Sequence, residues 1–596
     1  MKHSDGRIFR RSLILAILAC LGAFAGVAPA VAQLATDPAA DALIGANARF
    51  HPQIAENGMV AAQEGIAAQV GADILKQGGN AVDAAVATGF ALAVTHPQAG
   101  NLGGGGFMLI ALAGKQKAIA VDYREMAPLS AARDMFLKTD GTVDIEKARN
   151  SRASAGVPGT VAGLLHALET YGTLPREKVL EPAIRLAEEG FPVSHELAYA
   201  LARTRDRFAR DPSSLAYFLH PDGRPYRAGE ILRQPDLART LIAIRDGGAA
   251  GFYSGWVADA IAGEMRNGEG PVNREDLAAY RVVEREPVRG TYRGYEIVSM
   301  PPPSSGGAHL IQMLNILEGY DLKALGHNSA DTIHRLVEAM RRAYADRASH
   351  MGDPDFYKVP VQGLTAKSYA ATLRGGIDLA RAGNSAAISA GSPPSPEGTQ
   401  TTHFSVMDRD GNAVANTYTL NWAFGSGFSV DGAGFLLNNE MDDFSAKPGV
   451  ANAYGLLGGD ANAIAPRKRP LSSMTPTILL KDGQPVLVTG SPGGSTIITV
   501  VLQMVLNVTD FGMNVMEATA APRIHHQWQP DNVISEPGIS DDTLRLLEAR
   551  GFILPKEPDG SFQHRILGRA NSVARSGRYF LGAADPRSGD AAARGY

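Results

Sequence analysis

The run Gln400-Thr401-Thr402-His403-Phe404-Ser405-Val406 constrains this chain more than any other. It follows Ser389-Ala390-Gly391-Ser392-Pro393-Pro394-Ser395-Pro396-Glu397-Gly398, a stretch too rich in Pro, Ser and Gly for regular structure. A strand-like segment then begins abruptly at a Thr. Beyond it come Met407-Asp408-Arg409-Asp410-Gly411-Asn412 and a second β-prone run, residues 413–421. Asp-Gly between two such runs marks a hairpin. Folding about that turn sets Thr401 opposite Thr419, to within about one residue of register. Facing residues have Cβ atoms roughly 5 Å apart, which brings the Thr419 hydroxyl and the Asn421 amide close to Thr401.

A Thr hydroxyl is a poor nucleophile until a base sits beside it. Cutting the chain before Thr401 makes its own α-amine that base. A loop that ends on a strand-initial Thr is what such a cut needs. Read alone, the segment is better explained by two ordinary β-branched strand residues. The partner strand, with Thr419 and Asn421, supplies the groups an activated hydroxyl requires.

Further motifs follow in order: Asn438-Asn439-Glu440-Met441-Asp442-Asp443-Phe444, Arg469-Pro470-Leu471-Ser472-Ser473-Met474-Thr475-Pro476 and Gly490-Ser491-Pro492-Gly493-Gly494-Ser495. Upstream lie Gly100-Asn101-Leu102-Gly103-Gly104-Gly105-Gly106-Phe107 and Asp122-Tyr123-Arg124-Glu125-Met126-Ala127-Pro128. Together with Thr401-Thr402-His403, this ordered set resembles the γ-glutamyltransferase (γ-glutamyltranspeptidase) family of N-terminal-nucleophile hydrolases. Each motif is weak; their order is specific, and it spans nearly all of the chain after about residue 50.

The resemblance implies an α+β fold, a four-layer αββα sandwich shared by two segments of one precursor. Residues 1–32 would be a signal peptide, 33–400 the large subunit and 401–596 the small, catalytic subunit. Cleavage would fall between Gln400 and Thr401. Thr401 then attacks the γ-carbonyl of glutathione or another γ-glutamyl compound, Thr419 and Asn421 orient it, and Gly493 and Gly494 stabilise the oxyanion. Arg124, Ser472 and Ser473 would hold the substrate α-carboxylate; Glu440, Asp443 and Asn421 its α-ammonium. Some family members carry Gln where this chain has Glu440. The extra carboxylate should strengthen ammonium binding and perturb neighbouring charges. Residues 448–460, with Tyr454, match the family's lid over the glutamyl pocket; an ordinary Gly-rich surface loop is the plain alternative. No cofactor is implied. Acceptors are water, amino acids or peptides.

The chain has 596 residues, 45% hydrophobic and 20% charged, which bounds it as globular with room for several domains or one large layered unit. Net charge is -4. Residues 1–32 carry Lys2, Arg7, Arg10 and Arg11 against Asp5, so their removal leaves about -7. That balance argues against nucleic acid as a partner. The N-terminus reads as a signal peptide: Arg7, Arg10 and Arg11, an apolar run over residues 12–27, then Ala30-Val31-Ala32 before Gln33. The run is short and rich in Ala and Gly, which disfavours a membrane anchor. Arg10-Arg11 hints at twin-arginine export. Cys20, the single cysteine, lies in the apolar run, so a mature periplasmic or secreted chain would have no disulfide and no thiol chemistry.

Residues 61–93 carry a helical pattern broken at Gly78-Gly79-Asn80. Residues 107–112 and 118–123 read as a strand pair with Arg124 at its end. Helices are expected over residues 309–317, 331–348 and 496–506, and a strand over 486–489. Strands and helices intermix throughout, which suggests stacked antiparallel sheets covered by helices.

Gly493-Gly494 sits between a strand and a helix, where several amides point at one spot. No Gly-Lys-Ser/Thr follows, so a phosphate loop is excluded; an oxyanion hole or a tight turn remains. Arg124 is either a surface residue or a fork for a carboxylate. Residues 100–106 precede a strand rather than follow one, unlike a dinucleotide loop. His403, His525 and His526 lack metalloenzyme spacing and read as core or surface histidines, so no metal is expected. Two rivals remain: a glutaryl (cephalosporin) acylase of the same superfamily, whose acyl group lacks the α-ammonium that Arg124, Asp443 and Tyr454 suit, and a non-enzymatic periplasmic amino-acid-binding protein.

Overall fold

The computed structural model describes residues 48–115, 117–388, 402–447, 450 and 459–596. Fourteen strands form its two main sheets: β1 (Gln53–Ala55), β2 (Gly58–Ala62), β3 (Gly105–Ala111), β4 (Ala118–Tyr123), β5 (Val283–Arg285), β6 (Val288–Tyr292), β7 (Tyr295–Ser299), β8 (Thr402–Asp408), β9 (Ala413–Thr419), β10 (Thr477–Lys481), β11 (Gln484–Thr489), β12 (Ser572–Ser576), β13 (Tyr579–Ala583) and β14 (Ala592–Gly595). The first sheet runs β1-β13-β12-β11-β10-β7-β6 and the second β14-β2-β8-β9-β3-β4-β5. Neighbouring strands are antiparallel.

The inner faces of the sheets pack on each other. Helices α1 (Gly65–Lys76), α2 (Ala81–Thr95) and α3 (Thr160–Tyr171) cover the second sheet. On the first sheet lie α5 (Gly306–Leu317) and α8 (Val515–Ala520), with α7 (Thr496–Thr509) packed between them. Two more helices bear on the site: α4 (His195–Phe208) and α6 (Ala330–His350). This is the expected four-layer αββα sandwich. Each apolar face is buried against a neighbouring layer, the general requirement of a layered domain.

The hairpin β8–β9 lies at the centre of the second sheet, and all fourteen of its strand residues are buried. Its alternation sorts chemistry by face. Phe404 and Val406 enter the apolar core shared with α2. His403 and Ser405 point the other way and meet the first sheet: Ser405 Oγ donates to the Asn571 carbonyl at 2.9 Å. The Asp-Gly turn forms as its residues dictate. Asp408 accepts the Asp410 and Asn412 amides, and Gly411 takes φ +92°. Asp408 also accepts the Ala81 amide at 2.8 Å, which ties the turn to the start of α2. Every residue of α2 is buried, and Ala and Gly supply enough of them for strands to approach closely.

One expectation is corrected. Residues 61–62 belong to β2, not to a helix; the helical pattern begins only at Gly65, after Glu64 caps α1 by accepting the Ile66 and Ala67 amides. The all-buried Gly-Met-Val-Ala-Ala run is a strand because it sits between β8 and β14, where both faces are covered and alternation disappears. The other expected elements form with shifted ends: α5, α6 and α7 extend the three helices, and β3 begins at Gly105.

Candidate active site

The β8 strand starts at Thr402, which pairs with Tyr418; the Thr402 hydroxyl donates to Gln63 Oε1 at 3.2 Å. Thr401, Gln400 and Tyr454 lie outside the described residues, as does most of the lid segment. β9 ends at Thr419, whose hydroxyl accepts the Asn421 amide at 2.8 Å. Asn421 adopts φ +73°, a left-handed conformation that Asn tolerates better than most residues. Its side-chain amide donates to the Asn439 carbonyl at 2.8 Å. That bond links the end of the hairpin to the Glu440–Asp443 turn.

Arg124 follows β4 directly and is wholly buried. Its Nη1 lies 2.6 Å from Glu440 Oε1 and 3.6 Å from Glu125 Oε2, and its Nη2 lies 2.6 Å from Asp443 Oδ2. Nε donates to the Pro470 carbonyl at 3.1 Å. The surface reading of Arg124 therefore fails. A guanidinium taken out of water needs charged partners, and here it has three. Groups expected to divide between substrate carboxylate and substrate ammonium form one compact cluster. Burial pushes the Glu440 carboxyl well above the ordinary range, and Glu125 and Asp443 add to the rise against Arg124. Glu125 is pushed up to about 7, chiefly by burial and against the pull of Arg124.

Ser472 and Ser473 follow the carbonyls that hold Arg124. Ser472 Oγ accepts the Met474 amide at 3.1 Å, and Ser473 Oγ accepts from Arg347 Nη2 at 2.8 Å. Asn462 fastens this segment to the turn, accepting the Leu471 amide and donating to the Asp443 carbonyl. Across the inter-sheet space, Gly493 and Gly494 turn the chain from β11 into α7 with φ of +134° and +57°. Among the described residues, neither amide donates to a protein acceptor. A side chain at Gly493 would collide with Thr496 Oγ1 and reach within 3.2 Å of Gly568 Cα.

The histidines are core residues. His403 bonds to the Thr417 and Ser405 hydroxyls at 2.8 and 3.0 Å, and burial pushes it down to about 3. His525 bonds to Thr499 and Gln527, His526 to Asp531. Sequence reasoning missed Glu125, Arg347, Asn438 and Asn462. Asn438 ties the Glu440 amide to the carbonyls of Gly103 and Gly156. The repeated Asn438-Asn439 pair was a visible signal for it. Arg347 sits in α6 among other charged residues, and nothing in the sequence separates it from them.

Two stacked antiparallel sheets between helical layers, with β8 starting at Thr402 and a double-glycine turn between β11 and α7, define an N-terminal-nucleophile hydrolase. The Gamma-glutamyltranspeptidase family model matches residues 67–595, and the chain belongs to that family. It is 54% identical over 548 residues to the glutathione hydrolase proenzyme of Escherichia coli K12, covering 92% of this chain and 93% of that one. The cephalosporin acylase structure from Bacillus halodurans superposes with a TM-score of 0.80 at 31% identity, covering 92% of this chain and 97% of that chain. The Helicobacter pylori gamma-glutamyltranspeptidase structure gives 0.54 at 48% identity, covering 55% and 93%. The chain is thus an enzyme, and the amino-acid-binding-protein alternative is set aside.

Proposed function

We propose that this chain is an exported, self-processing γ-glutamyltransferase and glutathione hydrolase. The precursor is cut between Gln400 and Thr401 after removal of residues 1–32. The Thr401 hydroxyl attacks the Gln400 carbonyl, the acyl group moves from nitrogen to oxygen, and water cleaves the ester. Residues 33–400 and 401–596 then form one heterodimer in the periplasm or outside the cell. No helix among the described residues is long and apolar enough to cross a membrane.

In turnover, the Thr401 oxygen bonds to the γ-carbonyl carbon of the donor, and its proton passes through the Thr401 amine to the departing nitrogen. That amine has an ordinary pKa near 8, suited to a base at neutral pH. The Gly493 and Gly494 amides take the oxyanion. Thr419 and Asn421 position the nucleophile, lying just beyond Tyr418, which pairs with Thr402. Water, an amino acid or a peptide resolves the ester.

The buried cluster around Arg124 carries the substrate assignment. One guanidinium faces three carboxylates, an excess that suits an α-ammonium. The substrate α-carboxylate takes a share of Arg124 together with Ser472 and Ser473; the ammonium takes Glu440, Asp443 and Asn421. Tyr454 closes over them. The likeness to a cephalosporin acylase favours a glutaryl donor as second reading. A glutaryl group would add a negative charge to a site already rich in them. Purified enzyme should release p-nitroaniline from its γ-glutamyl derivative roughly tenfold to a hundredfold faster than from its glutaryl derivative, since losing a charge-assisted pair costs about 1.5–3 kcal/mol. Faster release from the glutaryl compound would overturn the assignment.

A further inference from the structure

Arg124 stands after β4, on one side of Thr402; the opposite side of the same sheet edge is also built from polar groups. The segment Leu567-Gly568-Arg569-Ala570-Asn571 is wedged between the double-glycine turn and the start of β8. Gly568 has φ +62°, and a side chain there would lie 2.5 Å from Ser491 Oγ. The Arg569 amide donates to Ser491 Oγ at 3.0 Å. Asn571 donates to the carbonyls of Gly490 and His403, both at 3.3 Å. The backbone of Arg569 is therefore fixed beside both the oxyanion turn and the strand that carries the nucleophile.

Its side chain is about one-third exposed, and Nη1 lies 2.9 Å from Glu196 Oε1 in the first turn of α4. No other acceptor among the described residues takes its Nε or Nη2. Glu196 is in turn held by Ser588 and Gly589, just before β14. A second polar group lies nearby. Gln98 is only 8% exposed, yet its Oε1 has no hydrogen-bond partner. Its Nε2 approaches His96 Nδ1 at 3.4 Å, and the Arg569 charge acts on that same imidazole.

The strand order fixes the direction. β14 lies two strands from β8 on one side and β4 three strands on the other. Arg569 joins the β14 side through Glu196, which Ser588 and Gly589 hold just before that strand, while Arg124 follows β4 on the other side. A donor with its α-groups on Arg124 and its γ-carbon at the nucleophile must send its leaving group toward β14. The incoming acceptor occupies the same side. A neutral carbonyl oxygen suits an amine that has to be uncharged to attack, and a guanidinium suits the carboxylate at the other end of an amino acid or short peptide.

We propose that Arg569 and Gln98 form a second subsite, for small molecules bearing an amine and a carboxylate, with Arg569 on the carboxylate and Gln98 Oε1 on the amine N–H. This rests on the γ-glutamyl transfer reading. In the transfer step the amine nitrogen bonds to the γ-carbonyl carbon, the ester C–O bond breaks, and the amine proton ends on the Thr401 oxygen.

The test uses processed enzyme, γ-glutamyl-p-nitroanilide as donor, and glycylglycine or glycinamide as acceptor. Arg569→Gln should raise the KM for glycylglycine about tenfold, a part-exposed charged pair being weaker than a buried one. The KM for glycinamide, which has no carboxylate, should move less than twofold. Glu196→Gln should lower the KM for glycylglycine, because it releases Arg569. A merely structural tie would move both variants in the same direction, and that result, or an equal shift for both acceptors, overturns the proposal. Should Arg569→Gln fail to fold, Arg569→Lys carries the same comparison with a smaller shift. A wild-type enzyme that releases no p-nitroaniline would instead sink the γ-glutamyl reading itself.

Discussion

At the residue scale, the site is governed by a charge imbalance. Arg124 is buried with Glu125, Glu440 and Asp443, and burial raises Glu125 to about 7 against an ordinary 4.5. The folded state therefore holds a proton that the unfolded chain has already released. The stability this contributes is full below about pH 4.5 and is lost as pH rises through about 7. The slope belongs to the coupled carboxylates together rather than to Glu125 alone. Glu125→Gln removes part of the loss. Its denaturant midpoint relative to wild type should rise between pH 5 and pH 8. An offset that is the same at both pH values would contradict the account. The same proton competes with a substrate ammonium, so donor binding should weaken as the cluster protonates.

At the element scale, two turns show what a left-handed glycine does. Gly483, between β10 and β11, has φ +77° with nothing within 4 Å of a Cβ placed there. Gly493, between β11 and α7, has φ +134° and faces Thr496 and Gly568. Gly483→Ala should cost about 1–2 kcal/mol of stability, the usual strain of a left-handed L-residue, and leave turnover intact. Gly493→Ala should displace the amides as well. Its kcat should fall about 10²–10³-fold, the usual consequence of losing one oxyanion donor. Equal kcat values for the two purified variants would remove Gly493 from the oxyanion site.

At the scale of the whole molecule, the segments on either side of the proposed cut interleave. β8 and β9, from beyond the proposed cut before Thr401, lie between β2 and β3 from before it. In the other sheet, β10 to β13 lie between β1 and β7. The proposed cleavage products would share both sheets and the core between them, so they would part only by unfolding. A denaturing gel should show two bands while size exclusion shows one species, and Thr401→Ala should remain a single chain. In a denaturant titration, subunit separation and loss of circular dichroism should share one midpoint. Separation at lower denaturant, with secondary structure intact, would contradict the interleaved arrangement.

The sequence by itself determined what local chemistry can determine. Asp410-Gly411 between two β-prone runs can close only as a tight turn, so the hairpin and its register followed from composition and spacing. Gly493-Gly494 between a strand and a helix announced a special backbone, and positive φ at both is what glycine permits. The ordered motifs were enough to name the family. Tertiary structure decided the rest, because burial and charge depend on what surrounds a residue. β2 looked helical because both of its faces are covered and its alternation vanished. Arg124, an ordinary surface candidate in the sequence, became the centre of a buried cluster only when β4 was brought against the Glu440–Asp443 turn and the Pro470 carbonyl. Arg347 and Asn462 acquired their positioning roles in the same way. The Arg124 contacts to Asp443 and Pro470 and the Arg347 contact to Ser473 join residues more than a hundred positions apart, and no local pattern encodes them; packing of the four layers does.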